Sequence, residues 1–226
     1  MAKFASGSGD GAITDDGCAV ELYRRLTASA DEIAMLTGLA RPGGSILDLG
    51  AGAGRLAEPL SQTGFAVTAV DQSAEMLAEI GDDVVRVQSG IGALELSERF
   101  DLVLLSSYLL NTPAAEERQA LLAACARHVK PTGAAAIQVR GAGILRDLNG
   151  FARESDGVRD WVEGYRRDGP LVTITMQTEW EGRRSSQTFT QRYLREAELR
   201  RELADQGLAF ERWLDDPSEW FMARRG

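Results

Sequence analysis

The sequence predicts an α/β fold, a mostly parallel sheet with helices on both faces, and three observations carry that prediction. Strand-like and helix-like hydrophobic periods alternate from about residue 45 to 140. The run "FDLVLLS" at 100–106 is apolar enough to be buried on both faces, as a central parallel strand is. A Gly-rich turn follows the first strand, in "ILDLGAGAGRL" at 46–56. Right-handed crossovers then fix most of the topology.

Taken in order, the first 17 residues are dominated by Gly, Ser and Asp, a composition that buries little, so residues 1–17 are expected to form a flexible arm. A domain over 18–226 follows. "CAVELYRRL" is amphipathic, and a second helix runs through "ADEIAMLTGLA", with Ser29 as cap and Asp31 and Glu32 in its first turn. "RPGG" ends it. "SILDLG" is a strand, "RLAEPLSQTG" a helix, "FAVTAVD" a strand, "SAEMLAEIG" a helix, and "VVRVQ" and "FDLVLLS" are strands. A long helix is expected from a Thr112 cap, with Pro113 at its first position, to about Val129. "KPTG" turns the chain into the strand "AAAIQV". Beyond Gly141 the texture changes. Residues 141–194 are expected to be an insertion: a polar, irregular stretch anchored by Trp161 and Tyr165, then an antiparallel hairpin of "LVTITMQTEWEG" and "SSQTFTQRYL". A helix "REAELRRELADQGL", closed by Gly207, and one or two strands through "AFERWLDDPSEWFMARR" complete the chain.

Composition narrows the function. With 226 residues, 44% of them hydrophobic, the chain can build a sizeable core. Against 34 acidic residues stand 25 basic ones, a formal net charge of -9 that disfavours a nucleic-acid groove or an anionic membrane surface as partner. The longest apolar stretch, "LVLLSSYLL", is far below the roughly 18 residues of a membrane span, and "MAKFASGSGDG" has no signal-peptide core. Cys18 and Cys125 lie far apart without a metal-ligand spacing, which suits free thiols in a cytoplasmic protein. One histidine, His128, leaves little material for a zinc site or a His-based triad. Its position at a helix end suits a cation that complements the helix C-terminus better than it suits a base.

Glycine in the turn after the first strand lets backbone approach a ligand closely. A dinucleotide turn needs G-x-G-x-x-G, but position 55 is Arg55 and the third glycine is Gly54. No G-x-x-x-x-G-K-[ST] is present either. Asp71 ends the next strand about twenty residues on, where a carboxylate accepts both hydroxyl protons of a ribose. A turn for close approach and a ribose acceptor, without a phosphate clamp, suit an adenosine that carries no pyrophosphate. S-adenosylmethionine is such a ligand.

"ILDLGAGAGRL", "VTAVDQSAEML", "RFDLVLLSSYLLNTP" and "HVKPTGAAAIQV" resemble, in order and spacing, the motifs of the class I S-adenosylmethionine-dependent methyltransferases, most of all the small-molecule, natural-product type. The resemblance is strong over 45–140 and looser in the flanks. It implies a Rossmann-like, seven-stranded, mostly parallel sheet with the antiparallel hairpin inserted after the fifth strand. It implies S-adenosylmethionine as cofactor and methyl transfer to oxygen, nitrogen or carbon of a small-molecule acceptor. Gly50, Ala51 and Gly52 would line the methionine and ribose, Asp48 would orient that loop or meet the amino group, and Asp71 would hold the ribose hydroxyls. Gln72 and Met76 would flank the adenine, although Met76 suits an ordinary core position equally well. Members of the family often carry an Asp after the third strand for the adenine amino group. Here Ser89 and Gly90 stand in its place, so the adenine would be read by the Ile91 backbone and a serine hydroxyl. Tyr23 would close over the cofactor or pack beside it.

Methyl transfer needs alignment, exclusion of water and, for some acceptors, removal of a proton. Polar groups at the ends of the fourth and fifth strands are Ser106, Tyr108, Asn111 and Arg140. Ser106 is placed with the cofactor. Tyr108 would orient an acceptor, Asn111 hydrogen-bond it, and Arg140 bind a carboxylate; Asn111 is alternatively a helix-entry residue and Arg140 a solvated strand end. Two other functions fit the same residues: a non-methylating reaction such as cyclisation, or a non-catalytic cofactor-binding subunit.

Overall fold

The computed structural model describes residues 4–140, 148, 150–155, 157–215 and 219–226. In chain order the elements are β1 (Ala5–Gly9), α1 (Val20–Tyr23), α2 (Ala30–Thr37), β2 (Ser45–Leu49), α3 (Ala57–Gln62), β3 (Ala66–Asp71), α4 (Ala74–Ala78), β4 (Val85–Gln88) and β5 (Phe100–Leu105). Then come α5 (Ala115–His128), β6 (Val129–Gln138), β7 (Ala152–Ser155), β8 (Val158–Asp168), β9 (Leu171–Trp180), β10 (Arg183–Arg192), α6 (Glu196–Asp205), β11 (Leu208–Trp213) and β12 (Trp220–Arg225).

Seven strands form one sheet in the order β11-β12-β6-β5-β2-β3-β4. The pairs β6·β5, β5·β2, β2·β3 and β3·β4 are parallel, and β12 runs antiparallel to β6 and β11. Side chains alternate across it with period two. Leu47, Leu49, Val103, Leu105, Ala135, Ile137 and Phe221 enter the core on one face. Ile46, Leu102, Leu104, Ala134, Ala136, Trp220 and Met222 enter the core on the other. Trp213 packs edge-on against Phe221 and Phe210.

The order turns at β2, because the chain goes from β2 outward to β3 and β4 and returns to β5 on the other side. That switch opens a crevice at the carboxyl edge, where ligands of open α/β sheets bind. Since β12 is antiparallel to β6, its first residues also lie at that edge.

Four expectations are corrected. The arm at residues 1–17 is not free along its length: β1 pairs with β10 from Ala5↔Phe189 to Gly9↔Ser185. Its small residues are the reason, since Gly7 and Gly17 pack backbone on backbone and a methyl group on either would overlap the other. The stretch before the hairpin is not irregular throughout, because β7 and β8 occupy 152–168, while residues 141–147 lie outside the described ones. With β9 and β10, which pair in register from Arg183↔Trp180 to Arg192↔Leu171, these strands make a five-stranded antiparallel sheet β1-β10-β9-β8-β7. The segment that reads as a helix around Tyr23 keeps only Val20–Tyr23. Finally, the helix after β5 begins at Ala115, not at Pro113. Thr112 closes a 3-10 turn over Leu109–Asn111, and Ala114 stands at the N-cap without a side-chain cap.

Candidate active site

Five segments converge at the carboxyl edge of the sheet: the end of β3, the turn after β2, the turn after β5, the end of β6 and the residue before β12. Each delivers polar groups.

In the turn after β2, Gly50, Gly52 and Gly54 have φ of +74°, +55° and +87°. Left-handed backbone at three alternate positions coils the chain tightly, and the Gly50 and Ala51 amides both donate to Val70 O, at 2.8 and 2.9 Å. A Cβ on Gly50 would lie 2.5 Å from Leu109 Cδ1. We expect Gly50→Ala to lower stability by about 2 kcal/mol in a denaturant titration and to weaken cofactor binding, through backbone strain and the Leu109 overlap.

Asp71 is a junction. Its Oδ2 accepts from the Gly52 amide and its Oδ1 from the Ser73 amide, each at 2.9 Å, so one carboxylate ties the glycine turn to the start of α4. Ser89 donates its amide to Asp71 O and its hydroxyl to Gly90 O. A Cβ on Gly90 would meet nothing within 4 Å, so the surface beyond β3 is open there, beside half-buried Ile91 and exposed Gln72. Met76 lies inside an apolar cluster with Cys18, Val20 and Ala53, against which Tyr23 packs. Met76 is 3% exposed there, as a core position is. Tyr23 Cδ1 comes 3.7 Å from where a Cβ on Gly52 would stand, and burial pushes its phenol above the usual range.

Asp48, at the end of β2, is 1% exposed, and its Oδ1 has no hydrogen-bond partner. Burial, reinforced by Asp71 and Glu32, raises its pKa to about 7 against the opposing pull of Arg55. Arg55 is itself held by Glu32, with Nη1 to Oε2 at 2.5 Å. An orphaned buried carboxylate oxygen is costly unless a donor fills the place in front of it.

After β5 the backbone is strained: Ser107 and Tyr108 both take positive φ, +58° and +59°, without being glycine. The Ser107 amide is held by Gln138 Oε1, and buried Ser106 keeps its hydroxyl 3.4 Å from that of Ser107. The strained turn aims Tyr108 across the edge, where its hydroxyl donates to Glu219 Oε2 at 2.9 Å. The Arg140 guanidinium lies over the Tyr108 ring, 4.1 Å from the centroid, with its Nε buried and unpartnered. Burial first, then Glu219, pushes the phenol well above the usual range, so Tyr108 is a neutral donor.

Asn111 differs from its expected role of acceptor ligand. It is wholly buried, its Nδ2 donates to Arg192 O and its Oδ1 accepts from the Arg140 amide, both at 2.9 Å. It joins the β5 turn to β6 and to the second sheet. We expect Asn111→Ala to cost about 2–3 kcal/mol in an unfolding titration, because two buried backbone groups lose partners. His128 is also corrected: buried and neutral, it accepts from the Leu96 amide at Nε2 and places Nδ1 2.9 Å from Ala124 O, and burial lowers its pKa. It is not a helix-end cation.

Glu219, Glu32 and Arg55 are members of this constellation that the sequence did not single out as site residues. Arg55 had a signal, as the residue that breaks the dinucleotide pattern. Glu219 sits in "DDPSEW", within the stretch assigned only to one or two closing strands, and the reversed direction of β12 brings it to the edge.

Fold and edge together define an α/β protein with a crevice at the point where the strand order turns. Residues 46–133 match the family described as "Methyltransferase domain". The chain is 31% identical over 153 residues to the cypemycin N-terminal methyltransferase of a Streptomyces species, covering 65% of this chain and 60% of that protein. It is 36% identical over 100 residues to the ubiquinone biosynthesis O-methyltransferase of Pseudomonas entomophila, covering 40% of this chain and 42% of that one. The chain thus spans less than two thirds of these relatives' lengths. Among solved structures, the CcbJ methyltransferase of Streptomyces caelestis superposes with a TM-score of 0.73 at 20% identity, over 92% of this chain and 96% of that chain. The S-adenosylmethionine-bound amino pentose methyltransferase CalS10 of Micromonospora echinaspora superposes with a TM-score of 0.69 at 21% identity, over 87% of this chain and 89% of that chain. At such identity the likeness establishes the fold. Over residues 46–133 the chain resembles the methyltransferase-domain family, and it shares the fold of S-adenosylmethionine-dependent methyltransferases.

Proposed function

We propose that the protein transfers the methyl group of S-adenosylmethionine to a small-molecule acceptor, a secondary metabolite, in the cytoplasm. The observation that carries this is the unpartnered Oδ1 of buried Asp48 beside the Gly50–Gly52 turn and Asp71. A cofactor with an ammonium group supplies the missing donor, and its ribose hydroxyls find the remaining lone pairs of Asp71. Gly50, Ala51 and Gly52 line the methionine and ribose with backbone. Gln72, Ser89, Gly90 and Ile91 bound the adenine, Tyr23 closes the crevice over Gly52, and Ser106 lies beneath the methionine. When bound, the cofactor supplies a methyl carbon activated by a sulfonium.

The chain's own task is to place a nucleophile against that carbon and keep water out. Arg140 Nε offers a buried donor to an oxygen of the acceptor, and Tyr108, under the Arg140 guanidinium, walls the side of the acceptor pocket. The second sheet, joined to the β5 turn through Asn111 and Arg192 O, shapes the acceptor side as a lid. One matched relative is named as an N-terminal methyltransferase and another as an O-methyltransferase, which supports nitrogen or oxygen as the acceptor atom.

Calorimetric titration with S-adenosylmethionine, followed by a labelled-methyl assay on metabolite extracts, tests the reading. Saturable binding with transfer of label to a low-mass product is expected. Binding without transfer to any acceptor would favour a non-methylating or non-catalytic role, and no binding would refute the cofactor site.

A further inference from the structure

At the far end of the crevice from Asp71, Glu219 is a carboxylate held in place and half used. Its amide donates to Asp215 Oδ1 at 2.9 Å and its carbonyl accepts from the Val139 amide at 2.7 Å, so the backbone is fixed between β6 and β12. Oε2 takes the Tyr108 hydroxyl, and among the described residues Oε1 accepts no hydrogen bond. Arg140 is close enough to act on it, yet it stacks on the Tyr108 ring and makes no ion pair with it. A fixed carboxylate whose nearest partner is a neutral phenol, at the edge where the acceptor must enter, is a receptor for a cation. The turn that presents Tyr108 to it keeps two non-glycine residues at positive φ, strain that persists where function requires the geometry.

Resting on the methyltransferase reading above, we infer that the acceptor is an amine, bound as its ammonium by Glu219 Oε1, and that Glu219 takes its proton. In that step one ammonium N–H bond breaks and the proton passes to Glu219. The pair left on nitrogen bonds the methyl carbon, and the sulfur–carbon pair leaves with the thioether. Burial raises the Glu219 pKa, the direction that suits a group that must accept a proton. The groups facing it are Tyr108 from the β5 turn, Arg140 from the end of β6, Asp215 from the β11–β12 connection and Glu32 from α2. Tyr108 and Arg140 lower its pKa, and Asp215 and Glu32 raise it. Tyr108 is then a positioning residue that aims the carboxylate.

Sinefungin, which carries a primary ammonium where the cofactor carries its methyl, reports on Glu219 without a known acceptor. Its affinity is compared with that of S-adenosylhomocysteine, which keeps the adenosine and amino-acid groups but has a thioether sulfur in place of the amine-bearing carbon. Wild-type protein at pH 8 is expected to favour sinefungin by about tenfold, the worth of one charge-assisted hydrogen bond. Glu219→Gln is expected to bring the ratio to about one while S-adenosylhomocysteine affinity stays within about twofold. In the wild type the ratio is expected to fall as pH is lowered and Glu219 takes up a proton, a measurement that needs no variant to fold. A ratio unaffected both by Glu219→Gln and by pH overturns the inference and leaves the cofactor site standing. Failure of wild-type protein to bind S-adenosylhomocysteine overturns both.

Discussion

Asp71→Ala is expected to weaken S-adenosylmethionine binding about a hundredfold, close to 3 kcal/mol, as read by calorimetry. Two losses combine in it. The ribose hydroxyls lose a charged acceptor, and the Gly52 and Ser73 amides lose the oxygens that hold them at 2.9 Å. The second loss loosens the glycine turn even in the free protein, so the unfolding midpoint should also fall, by an amount worth about 1 kcal/mol. Asp71→Asn separates the two. Its amide oxygen can still accept from one backbone amide, but its NH2 group opposes the other, so affinity should lie between those of wild type and Asp71→Ala. Unchanged affinity in Asp71→Ala would mean that the ribose lies elsewhere.

The parallel half of the fold was legible because its signals are local. A strand buried on both faces needs an apolar run, and "FDLVLLS" is one; Leu102 and Leu104 enter one core while Val103 and Leu105 enter the other. The glycine turn after β2 was equally legible, since positive φ at Gly50, Gly52 and Gly54 is written in residue type. What sequence did not yield depends on chain segments meeting at a distance. The first strand reads as an arm because Gly and Ser bury little, yet the same small side chains let Gly7 lie on Gly17 and β1 extend the second sheet. Asn111 reads as a free polar group at a strand end, and only Arg192 O and the Arg140 amide show that it is consumed. Glu219 carries no signal at all, because its place at the edge follows from the antiparallel entry of β12 beside β6. The part of the crevice proposed for the cofactor is therefore built largely from neighbours in sequence, and the part proposed for the acceptor from residues brought together by topology.

Asp48→Asn is expected to move stability and binding in opposite directions. The Asp48 carboxyl titrates near 3.8 when free and at about 7 in the fold, burial being the main cause. Between those values the folded protein holds a proton that the unfolded chain has released, so stability falls as pH rises through the window, and the cost is complete above about pH 7. Removing the charge removes that cost. At pH 8 the free Asp48→Asn protein should be more stable than the wild type by about 2–4 kcal/mol in a denaturant titration, with the advantage shrinking towards pH 4. Its cofactor affinity at pH 8 should nonetheless drop by at least about tenfold, since a neutral amide replaces the carboxylate that meets the ammonium. In the wild type, affinity should weaken as pH falls below about 7 and Asp48 is protonated, and in the variant this dependence should vanish. Glu32, Arg55 and Asp71 set the position of the transition, because they are the charges that act on Asp48. A variant less stable than the wild type at pH 8 would make Asp48 a structural carboxylate with a partner in the fold. A more stable variant that binds poorly would show instead that the apoprotein carries an unpaired buried charge whose stabilising partner arrives with the ligand.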